Sequence, residues 1–114
     1  MNAQKIIDSF NEAFNRHNVD GMMALMTEDC VFENTDPPPD GTRYAGQEAV
    51  RQFWVEFFRA APQAHILIEE LVINGDRAFQ RWVYHWSASG YVRGVDIFRL
   101  SGGKIAEKLS YVKG

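Results

Sequence analysis

Between Val50 and Ala61 the apolar side chains Val50, Phe53, Trp54, Phe57, Phe58 and Ala61 recur at i, i+3, i+4, i+7, i+8 and i+11, and Pro62 ends the run. That spacing is one buried face of an α-helix. After Pro62 the period changes. From Ala64 onward β-branched and aromatic residues dominate, interrupted at Asn74-Gly75-Asp76, Ser89-Gly90 and Ser101-Gly102-Gly103. These turn signals predict four strands near 64–73, 77–88, 91–100 and 104–112, and connections so short make neighbouring strands antiparallel. A strongly amphipathic helix placed before such a meander must bury its face against the sheet, which is an α+β arrangement.

Upstream, Pro37, Pro38 and Pro39 followed by Asp40 and Gly41 form a loop that neither a helix nor a central strand can cross. Before that loop, Ile6, Ile7, Phe10, Ala13 and Phe14 mark a first amphipathic helix running to about His17. Asp20 suits the N-cap of a short second helix containing Met22, Met23, Leu25 and Met26. Cys30 to Asn34 then alternates as a short strand, with Cys30, Phe32 and Asn34 on one face.

At 114 residues the chain has room for one domain, residues 1–114, and its 46% hydrophobic and 24% charged content is that of a folded globule. A net charge of −3 without a basic cluster argues against nucleic acid as a partner. No apolar run approaches the ~18 residues of a membrane span, and Gln4, Lys5 and Asp8 stand where a signal peptide would be apolar. A cytoplasmic protein without membrane partners is therefore expected. The lone Cys30 has no cation beside it in sequence and reads as a small buried strand residue. His17, His65 and His85 lack ligand spacing, and Gly102-Gly103 reads as a hairpin turn rather than a phosphate cradle, so neither metal nor cofactor is expected.

The segments Phe14-Asn15-Arg16-His17-Asn18-Val19-Asp20-Gly21-Met22, Cys30-Val31-Phe32-Glu33-Asn34, Val72-Ile73-Asn74-Gly75-Asp76-Arg77, Val95-Asp96-Ile97-Phe98-Arg99-Leu100 and Gly103-Lys104-Ile105-Ala106-Glu107-Lys108 resemble, in this order, the NTF2-like superfamily and its SnoaL-like, ketosteroid-isomerase-like branch. The resemblance implies a cone: three N-terminal helices packed in the concave face of a curved, mainly antiparallel sheet, whose open end leads to an apolar pocket. Members isomerise, cyclise, hydrolyse, dehydrate or simply bind, so the fold alone does not choose among these. In steroid isomerases of this group the base is an Asp where Asn34 stands here, one oxyanion donor is a Tyr where Phe10 stands, and the other is an Asp that Asp96 matches. Two of three groups are missing, which argues against steroid-type isomerisation. Relatives that hydrolyse limonene epoxide match at Asn34 and Arg81, but Val83 and Ser110 fall where their carboxylates belong.

The candidate site is accordingly Asp96 as catalytic acid or base, with Asn34, Phe10, Phe32, Phe57, Trp82, Tyr84 and Trp86 around a small hydrophobic molecule. Asp96 sits between Val95 and Ile97, a context in which a carboxyl must be paired, hydrogen-bonded or neutral. Two readings stand: a pocket acid held protonated by desolvation, or a structural ion pair with a base such as Arg81. Trp82, Tyr84 and Trp86 share one strand face and Arg81, Val83 and His85 the other. The aromatic face is expected inward, with His85 as a satisfied strand histidine. Helices on one side of the sheet leave the other side uncovered, and a homodimer through that sheet face is expected.

Overall fold

The computed structural model describes residues 2–114. Helix α1 (Ala3–Asn15) begins where the Asn2 side chain accepts the Lys5 amide, and it buries Ile6, Ile7, Phe10, Ala13 and Phe14. It ends at His17, whose φ of 57° is left-handed. The amides of His17 and Asn18 donate back to the carbonyls of Phe14 and Ala13 at 2.9 and 2.8 Å, the paired closure of a Schellman motif. A histidine in this conformation is uncommon. Its ring compensates, with Nε2 2.8 Å from the Ala64 carbonyl oxygen and the imidazole stacked on Phe58 at 4.3 Å.

Asn18, not Asp20, caps α2 (Val19–Ala24), because the Asn18 side chain accepts the Gly21 amide at 3.0 Å. Asp20 lies in the first turn, where it complements the helix dipole and pairs with Arg51. Strand β1 (Met26–Glu33) starts earlier than the alternation suggests, and Met26 belongs to it rather than to the second helix. Two long-range ties draw it in: Met26 pairs with Ile105, and the Gln47 amide donates to the carbonyls of Met23, Met26 and Thr27 at 3.0, 3.0 and 3.1 Å.

Beyond the proline loop, β2 (Arg43–Ala45) pairs antiparallel with β1 and is too short to show a period in sequence. Gly41 has φ 75°, and a Cβ there would fall 1.7 Å from the Asn34 carbonyl oxygen, so only glycine lets the loop fold back over the end of β1. Helix α3 (Gln47–Ala60) follows, then β3 (His65–Asn74), β4 (Arg77–His85), β5 (Tyr91–Ser101) and β6 (Lys104–Val112). The strand expected over 77–88 stops at His85, because the Trp86 amide turns to the Gly90 carbonyl at 3.2 Å and the Ser87 hydroxyl accepts the Gly90 amide at 2.9 Å.

The sheet has six strands in the order β2-β1-β6-β5-β4-β3. All neighbours are antiparallel except β1 and β6, whose parallel pairing closes the chain's first strand onto its last. Register shifts between Ile68 and Glu70 and between Arg99 and Leu100 bend the strands. The helices fill the concave side: Phe10 meets Phe98 edge-on at 6.5 Å, and Phe14 meets Trp54 and Phe58 at 5.6 and 5.2 Å. This is the expected α+β cone. No helix among the described residues is long and apolar enough to cross a membrane.

Candidate functional site

Gln80, Asp96 and Ser110 lie opposite one another on β4, β5 and β6. Alternation turns all three to the concave face, beneath α1. The Gln80 amide donates to Asp96 Oδ2 at 2.9 Å, and the Ser110 hydroxyl donates to Oδ1 at 2.6 Å. Asn11 and Gln80 exchange two hydrogen bonds, Asn11 Nδ2 to Gln80 Oε1 at 2.8 Å and Gln80 Nε2 to Asn11 Oδ1 at 3.2 Å, so Gln80 Nε2 donates both to Asn11 and to Asp96. Asp96 and Gln80 are 1% and 0% exposed, so both polar groups are removed from bulk solvent and each needs its partner.

The cation beside Asp96 is Lys108, two residues before Ser110 on the same face of β6. Its Nζ is 3.4 Å from Asp96 Oδ1, donates to the Ser110 hydroxyl at 3.1 Å, and sits over the rings of Phe32 and Trp54 at 4.7 and 5.5 Å. Burial pushes the Lys108 ammonium below the ordinary lysine value, opposed only in part by Asp96. Arg81 does not meet Asp96. It lies on the convex face with Glu70 and Glu69 at 2.9 and 3.6 Å.

Asp96, Lys108 and Ser110 line a cavity of about 100 Å³ whose aromatic walls are Phe14, Phe32, Trp54, Phe57, Trp82 and Tyr84. Asn34 and Thr35 line it as well, and they also border a wider recess of about 510 Å³ beside Pro38 and Pro39. Of the sequence-predicted residues, Asp96, Asn34, Phe32, Phe57, Trp82 and Tyr84 come together here. Phe10 does not: it is 1% exposed against Phe98 in the core, and Phe14, one helical turn later, reaches the cavity instead. Trp86 lies past the end of β4, half exposed, with its indole over Gly90. His85, on the convex face, is 5.8 Å from the Tyr91 ring. Cys30 is buried, and burial pushes its thiol up, away from the reactive thiolate. Among the described residues no group of three or more His, Cys, Asp and Glu could hold a metal ion.

Sequence reasoning passed over Lys108, Trp54 and Phe14 as site residues. Trp54 and Phe14 were visible only as helical core stripe. For Lys108 the available signal was parity, since a lysine two residues from a serine on a meander strand shares its face.

One backbone position holds the wall in place. Gly94 pairs with Trp82, and a Cβ at Gly94 would fall 2.5 Å from the Trp82 ring and 2.2 Å from the Tyr111 carbonyl oxygen. Neither neighbour is a flexible chain end, so Gly94→Ala is expected to cost about 1–3 kcal/mol by overpacking and to shift Trp82 emission. Urea unfolding followed by tryptophan fluorescence checks both, and an unchanged midpoint would contradict the packing.

A family model described as "SnoaL-like domain" matches residues 7–108. No curated protein matches the chain. Among solved structures, an NTF2-like protein of unknown function from Mesorhizobium loti is 40% identical, with 97% of this chain and 90% of that one covered and a TM-score of 0.86. A SnoaL-like protein of unknown function from Burkholderia thailandensis is 20% identical, with 98% and 95% covered and a TM-score of 0.83. A Sinorhizobium meliloti protein provisionally assigned as a polyketide cyclase is 22% identical, with 94% of each chain covered and a TM-score of 0.82. With its cone, its concave polar row and a family match spanning all but the chain's ends, this protein belongs to the SnoaL-like domain family within the NTF2-like fold.

Proposed function

We propose that the protein binds a small, largely apolar molecule in the aromatic cavity and performs acid–base chemistry on it with Asp96, in the manner of an isomerase, cyclase or hydratase that needs no cofactor. The observation that carries this reading is a buried carboxylate, with a serine and a lysine as proton partners, in the wall of a cavity built mainly of aromatic and aliphatic side chains. Asn34, at the junction with the wider recess, is suited to orient a ligand or a water. A second reading has its own support. Gln80, Ser110 and Lys108 already partner both Asp96 oxygens, as a purely structural role would require, and the protein would then bind without turnover.

Asp96→Asn separates the two readings. Under the catalytic reading it keeps ligand affinity, followed by tryptophan quenching, and abolishes solvent-deuterium incorporation into a bound enolisable compound. Incorporation by the variant at the wild-type rate would overturn the role of Asp96, and a wild-type protein that binds the compound without speeding its exchange over buffer would be a binder.

The same proposal includes a homodimer through the convex face. Across β3, β4 and β6 that face presents Val72, Phe79 and Tyr111 at 39%, 40% and 50% exposure, a patch that a second copy would cover. Phe79→Asp is expected to give monomers by light scattering at micromolar protein, and a wild-type monomer at those concentrations would contradict the pairing.

A further inference from the structure

Three groups in the cavity wall point to one ligand chemistry. Trp54 and Trp82 are 3% and 6% exposed, and among the described residues neither indole N–H meets an acceptor. Buried donors are rarely left unpaired, and both tryptophans belong to the cavity wall. The third group is the Lys108 amine, packed over Phe32 and Trp54 with Ser110 at 3.1 Å and Asp96 at 3.4 Å. A carboxylate ligand would meet the Asp96 carboxylate at close range. A neutral ligand with an electrophilic carbon and an acceptor oxygen meets no such repulsion, and that describes an aldehyde or a ketone.

We propose that Lys108 is a carbonyl-capturing amine, condensing through Nζ with an aldehyde or ketone ligand to form a Schiff base while Asp96 carries the proton by way of Ser110. This deepens the small-molecule site proposed above and rests on it. In the first step the Nζ lone pair of the neutral amine forms the C–N bond, and a proton passes from nitrogen to the former carbonyl oxygen, giving a carbinolamine. In the second, a proton from the Asp96 carboxyl joins that hydroxyl, the C–O bond breaks, and water leaves. An iminium on Lys108 remains, facing the Asp96 carboxylate. No oxidant or reductant enters. Asp96 takes up the proton that Lys108 sheds on becoming neutral, so the pair needs no outside base. Desolvation, which favours the neutral amine at Lys108, assists the first step. The cavity of about 100 Å³ is smaller than the ~150 Å³ space that accepts benzene. It therefore fits a compact carbonyl group, with any larger remainder reaching past Asn34 into the wider recess.

The test is reductive trapping on the wild-type protein with cyclopentanone or acetone and borohydride, read by intact mass and peptide mapping across the four lysines, Lys5, Lys104, Lys108 and Lys113. The expected result is one addition at Lys108, equal to the probe's mass less one oxygen atom, with the other lysines at the level of unfolded protein. Lys108→Arg, which keeps the cation, is expected to abolish it, and Asp96→Asn to slow it roughly a hundredfold, the usual scale of general acid–base assistance. Ketone binding seen by tryptophan quenching, without preferential trapping at Lys108, would overturn the Schiff-base role and leave the binding site standing. Neither quenching nor trapping would overturn both. Because the primary readout uses the unaltered chain, an unstable variant does not blunt it.

Discussion

Lys108→Met is expected to lower unfolding stability by about 3 kcal/mol at neutral pH, the low end for breaking a buried ion pair. Lys108 and Asp96 are both nearly inaccessible, at 6% and 1%. Removing the ammonium leaves the carboxylate without its cation in a medium that cannot hydrate it. The value stays at the low end because Gln80 and Ser110 continue to donate to the two oxygens. The double variant Asp96→Asn, Lys108→Met should recover most of the loss, since a neutral pair of similar volume carries no desolvation cost. The pH dependence has a defined sign. Burial lowers the Lys108 pKa below its unfolded value of about 10.4. Between the two values the unfolded chain binds the extra proton, so this group makes stability rise with pH through that window; below it the cost of burying the charge is fully present, and Lys108→Met relieves that cost, which also holds its expected loss to the low end. Lys108→Met should lack that alkaline gain. Urea titrations of the wild type, the single variants Lys108→Met and Asp96→Asn, and the double variant at several pH values measure all of this. A single variant as stable as the wild type would show that the pair carries no such coupling.

Phe14→Ala is expected to cost about 3–5 kcal/mol, the usual range for emptying a buried phenylalanine site. The Phe14 ring meets Trp54, Phe57, Phe58 and Tyr84 at centroid distances of 5.6, 6.0, 5.2 and 6.5 Å, tying α1 to both α3 and β4. Because Phe14 also lines the cavity, the space left by its ring is continuous with the existing one and enlarges it. Small aromatic hydrocarbons should then bind and raise the variant's melting temperature, by mass action on the folded state alone, more than they raise that of the wild type. Thermal unfolding with and without toluene checks this. A loss under ~1 kcal/mol, far below the range for a filled core site, would contradict the packing.

The architecture was readable wherever side-chain period and turn chemistry agree. The stripe from Val50 to Phe58 is helical in the structure, with Ala61 just past the helix end, and the Asn74-Gly75-Asp76 and Ser101-Gly102-Gly103 turns separate the strands they were expected to separate. Readings failed where distant contacts decide. Met26 is a strand residue because Ile105 and Gln47 claim it, and neither is near it in sequence. His17 ends a helix in a conformation that usually takes glycine, because Ala64 and Phe58 hold its ring. Strand β2 is set by pairing with β1, not by its own residues.

The site was readable to the level of faces. Parity put Trp82 and Tyr84 on the side opposite Arg81 and His85, and the structure turns the aromatic pair toward the helices. Which cation meets Asp96 depends on register between β5 and β6, where Asp96 pairs with Ser110. A strand's own sequence does not contain its register, so parity could set Arg81 on the outer face without bringing Lys108 to Asp96. Phe10 and Phe14 lie on one helical stripe, and only the angle of α1 across the sheet decides which of them reaches the cavity.

In the function proposed above, the Asp96–Lys108 pair forms the polar end of a ligand cavity. NMR of the lysine side-chain Cε signals, titrated with pH before and after addition of cyclopentanone and assigned with Lys108→Arg, tests it most directly. The Lys108 signal is expected to titrate below the ordinary lysine value and to move when the ketone is added. A Lys108 signal that titrates as an exposed lysine does, unmoved by the ketone, would contradict it.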